Sequence, residues 1–215
     1  MRAADFPDKP VFGYPSTALP DKYQFYTLSQ LNRYAFRVAK ILERSFPATV
    51  PGEPRRAVAL LGLSNLDYFV ALLALCKLGH TAVLMSTRIS DEAYQHLLTV
   101  TKCTNVVMHP QFDKAIKRVA THIPVRIHPI PVPAEYDLPE DVNNPQTMKT
   151  WKFAEEEAHQ PSWVIHSSGS TGLPKPIYRS VSVMPKGHIA ATLAPPPIAD
   201  HQIARPEPRQ PGRRP

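Results

Sequence analysis

An α/β fold, a mainly parallel sheet flanked by helices, is predicted by three features of this 215-residue sequence. Short apolar runs, AVALL (57–61), TAVLM (81–85) and NVVMH (105–109), are separated by stretches with helical spacing. Helix-start and helix-stop residues punctuate those stretches: Ser64 and Asn65, then Gly79, then Ser90. Composition agrees, with 43% hydrophobic and 20% charged residues, as in a chain that buries a core. Strands alternating with helices require a parallel sheet covered on both faces, because each crossover helix must pack back on it.

The elements follow in order. Thr27-Leu-Ser-Gln30 reads as a capping box, in which the threonine oxygen and the glutamine side chain each satisfy a free amide. Leu31, Tyr34, Ala35, Val38, Ile41 and Leu42 then form an apolar stripe that leaves Arg33, Arg37, Lys40 and Glu43 outward until Pro47. AVALL has the uninterrupted apolar character of a strand buried on both faces. After it, Ser64 and Asn65 are the cap candidates for YFVALLALCKL, with Asp67 in the first turn and Gly79 where a helix leaves through left-handed backbone. Lys77 and His80 near that end suit the carbonyl dipole as positive charges.

TAVLM is the next strand, and Ser90-Asp91-Glu92 opens a helix through Val100. NVVMH is a strand, Pro110 starts a helix striped by Phe112, Ile116 and Val119, and VRIHPI (125–130) is a further strand. Residues 131–150 are proline-broken and polar, a connecting loop rather than an element, with a short helix expected around 151–158. SWVIH (162–166) and IYRS (177–180) form a hairpin. After Ser180 no period persists; residues 181–215 read as a low-complexity, disordered tail rich in Pro and Arg.

Charge and composition exclude several functions. The net charge is +7, but Lys186, Arg205, Arg209, Arg213 and Arg214 against Asp200 and Glu207 place three of the seven in the tail. The rest is spread thinly, without the clustered bases and exposed aromatics of a nucleic-acid surface, so no nucleic-acid partner is expected. Cys76 and Cys103 are too few for a disulfide framework and lack partners at metal-ligand spacing. No stretch approaches about 18 consecutive apolar residues and no apolar run follows the first charges, so the expected location is cytoplasmic. The acidic run 155–157 points its carboxylates in different directions on a helix and reads as a solvated face.

Chemistry concentrates in Ser167-Ser-Gly-Ser-Thr-Gly-Leu-Pro-Lys175, directly after an apolar strand. Glycines let the chain adopt positive φ and aim several amides at one anion; hydroxyls add neutral donors and Lys175 a charge. The spacing is neither that of a Walker phosphate loop nor that of a dinucleotide fingerprint. On residue types alone, a solvent-facing Ser/Gly hairpin explains the stretch equally well. His166 before it either orients substrate or packs at a strand end.

The string Ser168-Gly-Ser-Thr-Gly-Leu-Pro-Lys175 resembles the ATP-phosphate signature of the adenylate-forming superfamily, which holds acyl-CoA synthetases, luciferases and nonribosomal peptide synthetase adenylation domains. Thr27-Leu-Ser-Gln-Leu31 resembles the family's opening helix start, and Leu75 to Val83 its helix-to-strand step. His166 and Pro176-Ile177 are similar to the fungal reductase-type synthetases, which join adenylation, carrier and reductase domains. The resemblance spans about residues 10–180, so 1–180 reads as the amino-terminal part of an adenylation domain.

The resemblance implies activation of a carboxylic acid by ATP and Mg2+, giving an acyl-adenylate that passes to a carrier-domain thiol or coenzyme A. It assigns Ser167, Ser168, Gly169, Ser170, Thr171, Gly172, Leu173, Pro174 and Lys175 to the β- and γ-phosphates. It assigns no catalytic or metal-binding residue. The family's next helix, acyl-pocket motif, magnesium-binding glutamate, ribose-binding aspartate and catalytic lysine have no counterpart after Ser180. The expectation is a truncated adenylation domain, inactive alone; the alternative is a noncatalytic remnant or binding module.

Overall fold

The computed structural model describes residues 6–15, 22–50, 52–139, 159–167 and 172–180. A two-stranded antiparallel pair, β1 (Pro10–Pro15) and β2 (Tyr23–Thr27), leads into α1 (Leu28–Glu43). The capping box forms as expected: the Gln30 amide donates to Thr27 Oγ1 at 3.2 Å and the Thr27 amide to Gln30 Oε1 at 2.9 Å. Then β3 (Ala57–Leu61), α2 (Leu66–Lys77), β4 (Thr81–Met85), α3 (Asp91–Val100) and β5 (Asn105–Met108) alternate. A 3-10 turn at Pro110–Phe112 opens α4 (Asp113–Ala120), followed by β6 (Arg126–Pro129), the short α5 (Pro133–Tyr136), β7 (Pro161–His166) and β8 (Pro176–Ser180).

The main sheet has the order β6-β5-β3-β4-β7-β8, parallel throughout except for the antiparallel edge strand β8. Alternate strand residues feed two cores. Val58, Leu60, Ala82 and Val107 face α1 and α2 on one side. Ala59, Leu61, Val83, Met85, Val106 and Met108 pack with residues of α3 and α4 on the other. A strand that buries both faces needs apolar residues without a break, which is why AVALL carries no polar position. Each fully buried Leu or Val side chain contributes about 1.5–3 kcal/mol relative to exposure.

Local chemistry sets the element ends. Asn65 accepts from the Tyr68 amide at 2.9 Å, Ser90 from Ala93 at 3.2 Å, and Gly79 takes φ 72° just past α2. Three expectations change. Arg37 is buried, not outward, because its guanidinium donates to the carbonyls of Tyr136 (3.0 Å), Leu138 (2.5 Å) and Pro139 (2.8 Å). The start of the 131–150 stretch is an element after all: α5 packs on α1, with Tyr136 fully buried and its hydroxyl donating to Asp67. His80 is buried and uncharged at neutral pH, since desolvation outweighs any benefit from the helix dipole. Lys77 does sit in the last turn of α2 and donates to Asn32 at 2.6 Å. The helix expected at 151–158 and the tail 181–215 lie outside the described residues.

Candidate functional site

The hairpin predicted around the Ser/Gly loop is present. β7 and β8 pair antiparallel from Trp163↔Arg179 to His166↔Pro176. Beyond that register the Ser167 amide donates to the Lys175 carbonyl at 3.1 Å, extending the pairing to the hairpin end. Because β7 runs parallel to β4, with Ala82 opposite Trp163 and Val83 opposite Val164, the loop leaves from the carboxyl end of the parallel strands. That end is where open α/β sheets place ligands, since the connections there are free to vary.

Gly172 has φ 88°, and a Cβ built on it meets no atom of the described residues within 4 Å. Glycine is therefore needed for the backbone conformation and not for space. Pro174 is buried, Leu173 half-buried, and Gly172 and Lys175 exposed, so the lysine charge stands in solvent at the base of the loop. Ser168, Gly169, Ser170 and Thr171 lie outside the described residues. Of the nine residues assigned from sequence, the structure thus brings together Ser167, Gly172, Leu173, Pro174 and Lys175 at one hairpin end.

The neighbouring helices contribute little free attraction for an anion. α2 and α3 begin at this same end, yet Asn65 and Ser90 already cap them, and Asp67, Asp91 and Glu92 occupy their first turns. Those carboxylates offset the half positive charge of each helix start.

His166 gains a role that the sequence left open. Its Nε2 accepts from the Ser86 amide at 3.1 Å, and Ser86 in turn accepts from the Tyr94 hydroxyl at 3.0 Å through its carbonyl. This chain ties the root of the loop to the end of β4 and to α3. An accepting Nε2 puts the proton of the neutral ring on Nδ1, which is buried without a hydrogen-bond partner among the described residues. Ser86 carries no local sequence signal for this contact, because only the pairing of β4 with β7 brings it to His166. His109 caps the 3-10 turn by accepting from the Gln111 amide at 3.3 Å, a structural task. Among the described residues no group of three or more His, Cys, Asp or Glu is placed to hold a metal. No described helix is long and apolar enough to cross a membrane.

Comparison with known proteins agrees with this geometry. The sequence profile of the AMP-binding enzyme family matches residues 1–193. A carboxylic acid reductase of Neurospora crassa is 33% identical over 147 residues, covering 68% of this chain and 13% of that protein. An adenylate-forming reductase of Aspergillus terreus is 31% identical over 134 residues, covering 57% of this chain and 12% of that protein. The chain thus spans about an eighth of the length of these curated relatives. Among solved structures, O-succinylbenzoate coenzyme A synthetase from Bacillus subtilis, in complex with AMP, superposes with a TM-score of 0.61 at 20% identity. That match covers 83% of this chain and 40% of the synthetase, and shows the shared fold. With the α/β sheet, the loop after β7 and a profile match over most of its length, this chain belongs to the AMP-binding enzyme family.

Proposed function

We propose that the Ser167–Lys175 loop grips the β- and γ-phosphates of ATP in an adenylation domain that activates a carboxylic acid. The observation that carries this reading is the Ser167–Lys175 rung, which closes a glycine-containing loop at the carboxyl end of the sheet. A loop pinned at its root loses less entropy when it orders around an anion than a free one does. Backbone amides and the hydroxyls of Ser168, Ser170 and Thr171 would supply the neutral donors, and Lys175 the charge. Mg2+ is the ion that would accompany the ATP phosphates and offset their charge.

The reaction proposed for the intact enzyme has two steps. A carboxylate oxygen attacks the α-phosphorus of ATP and pyrophosphate leaves; a thiol sulfur then attacks the acyl carbon and AMP leaves. The thiol belongs to coenzyme A or to a carrier domain, the latter supported by the reductase relatives. The loop acts on the leaving group, holding pyrophosphate oxygens while charge develops on them. Stabilising a transferring phosphoryl group requires positioning from both sides, and residues 1–180 supply one. This stretch of 215 residues is therefore proposed to be inactive by itself, and cytoplasmic.

ATP–pyrophosphate exchange with a panel of carboxylic acids tests this directly. The expected result is no exchange from this chain, alongside saturable binding of a non-hydrolysable ATP analogue. Robust exchange would overturn the reading of an inactive part, and absence of analogue binding would favour a noncatalytic remnant.

A further inference from the structure

The opposite end of the sheet carries a second feature. A cavity of about 1050 Å³ opens at the amino-terminal ends of the parallel strands, where Ala57, Thr81, Asn105 and Pro161 begin or nearly begin β3, β4, β5 and β7. Pro161 and His166 bound the same strand, so the cavity lies roughly 17 Å from the Ser167 loop at about 3.3 Å per residue. The two are separate places on the molecule.

Four cations, Arg55, Arg56, Lys102 and Arg126, line this cavity, and among the described residues no Asp or Glu does. Among the described residues no ion pair engages Arg56, Lys102 or Arg126. Arg55 is held in place at the start of β7, its Nη1 donating to Ser162 Oγ at 3.1 Å and its amide to Gln160 Oε1 at 3.0 Å. One bland account is that these cations neutralise helix ends, because α1, α2, α3 and α4 all finish on this side. Four half-charges amount to about −2, against +3 from Arg56, Lys102 and Arg126, so a net surplus of about +1 remains.

Lys102 adds an independent sign. It is the one non-glycine residue with positive φ among the described residues, at 55°, in the position after the α3 cap where glycine is usual. Left-handed backbone is strained for lysine, and such strained residues cluster at functional sites. His80, also lining the cavity, is 1% exposed and has an Nε2 with no hydrogen bond among the described residues. Phe46, Pro47, Val58 and Val125 give the same space apolar walls.

We propose that this cavity is a binding site for a small organic phosphate, its anionic head among Arg56, Lys102 and Arg126 and its apolar body against Phe46, Pro47 and Val125. The ligand class follows from the described lining: a mouth with a cationic surplus selects the anion, and the apolar walls select a body attached to it. The site does not depend on the function proposed for the Ser167 loop.

Titration calorimetry of the full chain with phenyl phosphate, and with inorganic phosphate as a second arm, tests this. Phenyl phosphate should bind saturably, more tightly than inorganic phosphate, and more weakly as salt rises. The double variant Arg56→Gln/Arg126→Gln should lose at least about tenfold in affinity, and the binding that depends on Arg56 and Arg126 should persist in Lys175→Ala. Lys102→Gly should raise the melting temperature by relieving the backbone while weakening the binding. A higher melting temperature with unchanged binding would reduce Lys102 to a structural role and overturn the site. So would absence of saturable binding, inorganic phosphate binding as tightly as the ester, or loss of binding in Lys175→Ala.

Discussion

Burial decides the protonation of His80, whose Nδ1 lies 3.2 Å from the Thr49 hydroxyl. Desolvation first, and then the Arg56 charge, push its pKa from 6.5 down to about 4, against a smaller upward pull from the Pro47 carbonyl. The unfolded chain takes up a proton near pH 6.5 and the folded chain only near 4. Stability held by the neutral ring is thus full above about pH 6.5 and is lost as pH falls from there towards 4, by up to about 3 kcal/mol. Urea unfolding at pH 7 and pH 4.5 should show His80→Asn losing less stability between the two than the parent chain. An equal loss in both would contradict the assignment. That His80 sits at a helix end was legible from Gly79 and the apolar run before it, whereas its burial was not. A dipole argument sees one helix, while the desolvation comes from Phe46, Thr49 and the strand neighbours that fold around the ring.

At the scale of elements, the helices and inner strands were the readable part, because their determinants are local. Thr27 and Ser90 cap where expected and Asn65 is the cap of the two candidates; AVALL and TAVLM are strands with the expected limits, and NVVMH ends one residue early, at Met108. The pair β1–β2 was not read, since Pro10 and Pro15 end β1 and its order comes from contacts elsewhere in the chain. Phe12 stacks on Phe69 of α2 with ring centroids 4.7 Å apart, a partner 57 residues away. α5 was missed for the same reason. It is held by Arg37, by Tyr34 donating to Asp137 at 2.6 Å, and by Tyr136 on Asp67, contacts that no local pattern announces. Burial first, and then the Asp137 bond, raise the Tyr34 pKa to about 12, which keeps that donor protonated. Arg37→Met preserves the aliphatic stem but leaves three carbonyls without their charged donor. We expect a loss of about 3 kcal/mol in denaturant unfolding, with α1 still formed by circular dichroism. A loss below about 0.5 kcal/mol would mean that water replaces the guanidinium at no cost.

Across the whole molecule, the sheet separates two environments. Its carboxyl end carries the pinned loop of Ser167 to Lys175, and its amino end the cationic cavity. The position of the loop was legible as a polar run after a buried strand, whereas the phosphate role proposed for it rests on the resemblance, because serine, glycine and lysine compose idle hairpins as readily as phosphate grips. The link from His166 to Ser86 came only from the pairing of β4 with β7. The account stands or falls on equilibrium binding of a non-hydrolysable ATP analogue to the full chain and to its Gly172→Val and Lys175→Ala variants. Saturable binding by the parent chain, weakened at least about tenfold by either substitution, is the predicted result. Equal affinity in all three would contradict it.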